Sequence, residues 1–139
     1  MIRLEWSDEF NTGIELIDKQ HRILFRAINL LGLALERGTD RELMDAIFET
    51  LASYTATHFA DEERMFEAAG YPDAEEHRHA HRLFLVKMQD LKTRFDAGGD
   101  NAREVMLFLV EWLRNHVLGT DRKYIPYVLD AGSEIRTAG

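Results

Sequence analysis

Residues 58–81 run HFADEERMFEAAGYPDAEEHRHAH. The turn signal Gly70-Tyr71-Pro72-Asp73 divides this stretch in two. A glycine closes the helical pattern before it, and a proline cannot continue that pattern. Asp73, with Glu76 three residues on, can cap the next helix. Before the turn, His58 and Glu62 stand four apart; after it, His77 and His81 do the same. That spacing puts both members of a pair on one helix face, a turn apart. A short connection makes the two helices antiparallel, so both pairs come to the same level.

The rest of the chain extends the pattern. Gly38-Thr39-Asp40 is an earlier break, with Thr39-x-x-Glu42 as a capping box. Ala97-Gly98-Gly99-Asp100-Asn101 is a later one, and Gly119 and Pro126 bracket the last helix end. The breaks predict helices over 17–37, 41–69, 74–96 and 102–118. Residues 1–16 form a non-helical arm, with Trp6, Phe10, Ile14 and Leu16 packed onto the bundle, and 119–139 a short C-terminal segment. The expected fold is one all-α domain over 1–139, an up-down-up-down antiparallel four-helix bundle.

Each helix carries a seam at alternating steps of three and four. The seams are Ile17, His21, Leu24, Ile28, Leu31, Leu35; then Ile47, Leu51, Tyr54, His58, Glu62, Met65, Ala69. The third is His77, His81, Phe84, Met88, Leu91, Phe95, and the fourth Val105, Leu109, Trp112, His116. Histidine and glutamate replace apolar residues within these seams, so they point inward. All fall at one end of the bundle. The step from His116 to Asp121 is different, because five residues rotate about 140° on a regular helix. A π-like turn or a break at 118–121, near Gly119, is needed to bring both inward.

Composition sets the limits. The length, 139 residues, is that of one ordinary domain. Apolar residues are 45% of the chain, enough for a real core. A formal charge of −8 argues against nucleic acid and against anionic lipid as partners. The apolar run from Val105 to Val110 stops at Glu111, far short of a membrane span. The acidic N-terminus lacks the apolar stretch of a signal peptide, and the absence of cysteine is compatible with a reducing cytoplasm, the expected location. Without cysteine, any metal must be held by nitrogen and oxygen.

A lone buried histidine is more often a hydrogen-bonded core residue than a ligand. Several imidazoles and carboxylates in one buried layer are another matter, since burying them without shared compensation is costly. A pair of cations supplies it. His79 lies about 200° around the helix from His77 and faces out, so Glu76-x-x-His79 reads as surface. The charges at Asp61, Glu63, Arg64, Glu75 and Arg78 read most simply as solvated faces, and Met65, Met88 and Met106 as core filling.

These residues resemble the hemerythrin family, in its bacterial single-domain form, over nearly the whole chain. The likeness rests on Gly13-Ile-x-x-Ile17-Asp-x-Gln-His21, His58-Phe-x-x-Glu62, Gly70-Tyr-Pro, His77-x-x-x-His81 and His116-x-x-x-x-Asp121. The resemblance implies two iron ions with a bridging oxo or hydroxo group. Glu62 and Asp121 would bridge, with His77, His81 and His116 on one iron and His21 and His58 on the other. Five imidazoles, two bridging carboxylates and the bridging hydroxide leave one open position of about twelve, on the iron with two histidines.

That implies reversible dioxygen binding for storage, transport or delivery, by a monomer that is not an enzyme. Trp112, Phe59, Val117 and Leu24 are the expected pocket walls; Leu24 and Val117 are equally well plain core. Tyr124 resembles a family tyrosine and would support the Asp121 end. The alternative is a sensor of oxygen, nitric oxide or redox state acting through a protein partner. Family sensors are usually fused to a signalling domain, which these 139 residues do not include. A free-standing sensor would need a partner surface, for which Ile125, Tyr127, Val128 and Leu129 are candidates, although they serve as readily to cover the bundle. An oxidase or peroxidase is a third reading.

Overall fold

The computed structural model describes residues 4–38 and 41–130, and only the backbone of Thr120 and Asp121. Four helices form the framework: α1 (Glu15–Glu36), α2 (Arg41–Ala68), α3 (Ala74–Asp96) and α4 (Ala102–Asn115). Each packs on the next in sequence, and α1 also packs on α4, which closes the ring. Histidines early in α1 and α3 meet residues late in α2 and just past α4, so neighbouring helices run in opposite directions. No strand occurs among the described residues. The all-α antiparallel four-helix bundle expected from the sequence is the fold found.

The seams of α1 and α3 are buried as read except at Leu35, which is half-buried; Ile17, Leu31 and Leu91 are fully enclosed. Each such side chain contributes about 1.5–3 kcal/mol relative to an exposed one. The seam of α2 differs at its C-terminal end. Phe66 is fully buried where Met65 and Ala69 were expected, and Met65 is only half-buried. The cause is tertiary: Phe66 packs against Tyr71 and Tyr124, which fold over that end of the bundle. The capping box at Thr39 lies outside the described residues. Asp73 stands at the start of α3, but its side chain makes no capping bond.

The arm is tied down along α1. The Asn29 side chain bonds both the N–H and the carbonyl of Leu4, at 2.8 Å each. Trp6 and Phe10 pack on Phe25, with Arg22 over the indole. Asp18 gathers the chain entering α1, accepting from the Thr12 N–H and hydroxyl and from the Gly13 N–H. Leu16 does not pack down as expected; it is 46% exposed on the first turn of α1. The arm also has one 3-10 turn at Asp8–Phe10.

Beyond α4 the helix widens. His116–Thr120 is a π turn and Asp121–Lys123 a 3-10 turn. The expected irregularity is present, yet it starts at His116, and Gly119 supplies no left-handed residue. A further short helix covers 125–130. Its Ile125 and Val128 pack on a small cluster of Ile14, Ile17, Phe66, Tyr71 and Tyr124. Tyr127 and Leu129 remain exposed. A larger core, holding Leu24, Phe59, Phe84 and Val117, fills the rest of the bundle. The histidine layer lies between the two.

Candidate metal centre

Two groups of side chains meet in that layer. Glu62, His77, His81 and His116 form one; His21, His58 and Glu62 form the other. Within each group the ligand-type atoms lie within 4.8 Å of one another. Glu62 belongs to both. All six residues are buried, none more than 4% exposed. The side chain of Asp121 lies outside the described residues; its backbone follows the π turn that carries His116.

The geometry suits metal ions. Nε2 of His116 is 3.2 Å from Nε2 of His77 and 3.1 Å from Nε2 of His81. Bonds of about 2.1 Å from one metal, meeting at right angles, would set their nitrogens about 3.0 Å apart. Glu62 Oε1 is buried and accepts no hydrogen bond among the described residues; the Nε2 atoms of His58 and His81 approach it at 3.0 and 3.6 Å. An acceptor enclosed by imidazole nitrogens is costly unless a proton or a cation lies among them. Hard oxygen with neutral imidazole, and no sulfur, is a donor set for iron, zinc, copper or nickel.

Glu62's other oxygen has its own partner. The Tyr124 hydroxyl, fully buried, donates to Oε2 at 2.7 Å. The expected support of the Asp121 end concerns a side chain outside the described residues; the hydroxyl bond to Glu62 runs from the turns after α4 to α2.

Three charges read as solvated faces take part as well. Asp61 accepts from the Gln20 amide at 2.6 Å, and the other end of that amide meets His58 Nδ1 at 2.6 Å. Glu63 Oε2 stands 3.7 Å from His81 Nδ1, and Arg78 approaches Glu63 at 3.9 Å. Burial pushes the Glu63 carboxyl above its usual range, with Arg78 pulling the other way. Asp61, Glu62 and Glu63 follow one another on α2, each about 100° on from the last. One carboxylate thus faces α1, one the interior and one α3. Gln20 lay in the quoted motif, but nothing in the sequence joins it to Asp61. Arg64 and Glu75 are exposed as expected, and so is His79.

Aromatic rings wall the layer. Phe59 stacks flat on His81 at 3.7 Å between centroids, and Trp112 on His116 at 4.2 Å. Leu24 and Trp112 also line an apolar cavity of about 10 Å³, with Thr55 and Phe84 among its other walls. Val117 is buried in the same core.

Comparison with known proteins agrees with this arrangement. Residues 12–128 match the family model described as the hemerythrin HHE cation binding domain. A bacteriohemerythrin of Pseudomonas paraeruginosa is 38% identical over 97% of this chain and 88% of its own length. A myohemerythrin of Riftia pachyptila is 32% identical over 86% of this chain and 88% of its own. The crystal structure of a wild-type hemerythrin superposes with a TM-score of 0.81 at 28% identity, covering 90% of this chain and 97% of the other.

Proposed function

This chain belongs to the hemerythrin family, a family of diiron oxygen-binding proteins, and on that premise we propose that it holds two irons and binds dioxygen reversibly. His77, His81 and His116 are assigned to one iron, His21 and His58 to the other, and Glu62 and Asp121 to both. The observation that carries the reading is Glu62, buried and shared by two groups of converging imidazoles. When bound, the irons would supply the electrons and the affinity for dioxygen, and an oxo or hydroxo group would complete the cofactor.

The chain's own residues would do three things. The imidazoles hold the metal while adding no negative charge, which disfavours strongly oxidised iron. The Tyr124 hydroxyl fixes one oxygen of Glu62 and so its orientation. Leu24, Phe59, Trp112 and Val117 keep water from the site, which suppresses loss of oxygen in reduced form. The cavity beside Trp112 holds roughly one water-sized molecule and has no ionisable residue in its lining.

The test is spectroscopic. The protein is loaded with iron, reduced without air, and exposed to oxygen. Metal analysis should give two irons per chain, and a visible charge-transfer band should appear and vanish on deoxygenation. Rapid irreversible oxidation would defeat the carrier reading.

A further inference from the structure

Gln20 joins a surface charge to one of the proposed ligands. Its side chain is buried, with 7% exposure. Its Nε2 donates to Asp61 Oδ2 at 2.6 Å, and its Oε1 faces His58 Nδ1, also at 2.6 Å. Asp61 is 17% exposed and paired outward with Arg64. A carboxylate can only accept. An amide turned the other way would set two acceptors against each other at 2.6 Å. Asp61 therefore decides which end of Gln20 meets His58. That end is the carbonyl, so Nδ1 of His58 carries a hydrogen. The ring's metal-binding lone pair is then on Nε2, the atom 3.0 Å from Glu62 Oε1.

We infer that Asp61 and Gln20 form a relay that locks His58 in the tautomer able to bind metal. The inference rests on the proposed reading of His58 as an iron ligand. Both are positioning residues, acting through His58. Their places in the chain suit this role. Gln20 precedes His21 on α1, and Asp61 precedes Glu62 on α2. His21, His58 and Glu62, three of the proposed ligands of that iron, are thus next to, or bonded to, a member of the relay. Without it the imidazole is free to carry its hydrogen on Nε2, where it blocks the metal.

The experiment measures iron affinity of the full chain by competition with a chelator. The unaltered protein should hold two irons, and His58→Ala should lose one. Asp61→Asn lets the amide turn, and that same iron should bind about 10- to 100-fold more weakly. Gln20→Met, similar in size but without the amide, should show the same loss. Combining Gln20→Glu with Asp61→Asn reverses donor and acceptor between positions 20 and 61, keeps the acceptor at His58, and rebuilds the relay. The introduced amide donates to the introduced carboxylate, which accepts from His58 Nδ1. Affinity should then return to near the unaltered value. A packing role would give no such rescue, since Asp61→Asn barely changes size.

The relay is overturned if the single variants hold both irons as tightly as the unaltered protein. It is overturned equally if the paired variant fails to recover. An unaltered chain without two irons, or an inert His58→Ala, would overturn the iron assignment itself, and this inference with it.

Discussion

Three consecutive acids, Asp61, Glu62 and Glu63, look alike in the sequence and do different things. Glu62 stands in the seam of α2, so its inward direction follows from helical period alone. Its neighbours sit on the flanks, where helical period cannot separate a solvated carboxylate from one that reaches an adjacent helix. The outcome depends on what the facing helix offers: Gln20 for Asp61, and His81 with Arg78 for Glu63. Tyr124 shows the same limit. Its hydroxyl crosses from the turns after α4 to Glu62 on α2, a contact that spacing along the chain does not give. Tyr124→Phe removes that donor from a buried carboxylate. Unfolding by urea should show a loss of about 1–3 kcal/mol. A change too small to measure would mean that Glu62 does not depend on the tyrosine.

At the scale of elements, turns were easier to read than seams. Gly70 and Gly98 end α2 and α3 with φ of 71° and 96°. At Gly70 this left-handed step lets the Tyr71 N–H reach the Phe66 carbonyl at 3.0 Å. Any other L-residue there is strained, although no described atom lies within 4 Å of an added Cβ. Gly70→Ala should therefore cost about 1–2 kcal/mol. Gly119 resembles it in sequence and differs in physics. The chain there is a π turn without positive φ, and an added Cβ again meets no described atom. Gly119→Ala should change stability by less than about 0.5 kcal/mol. Thermal melting of the two variants side by side checks both. Equal losses would mean that Gly119 matters to the π turn.

The shift from Met65 to Phe66 on α2 belongs to this scale too. A step of three or of four after Glu62 satisfies the period equally well. The choice was made by Tyr71 and Tyr124, which cover position 66 from outside the helix.

For the molecule as a whole, the histidine layer separates two apolar clusters and joins α1, α2 and α3 to the π turn that ends α4. Filling it should tie the bundle together, because a ligand that binds only the folded state stabilises it. Iron at a hundredfold excess over its Kd should add about 2.7 kcal/mol. In a domain of this size that raises the melting temperature by roughly 10 °C. Calorimetry with and without iron measures the difference. An unchanged transition would contradict a metal site built from side chains of three helices and the turn that ends the fourth.

The four bundle helices, the turns after α2 and α3 and the inward direction of the proposed histidine ligands and Glu62 were settled by the sequence itself. Each depends on period and turn chemistry, which act over a few residues. The partners of Gln20, Asp61, Glu63 and Tyr124, and the choice of Phe66, were settled only in the tertiary structure. These contacts cross from one element to another. Whether two side chains meet there depends on the rotation and height of one helix against its neighbour, and packing of the whole core sets both.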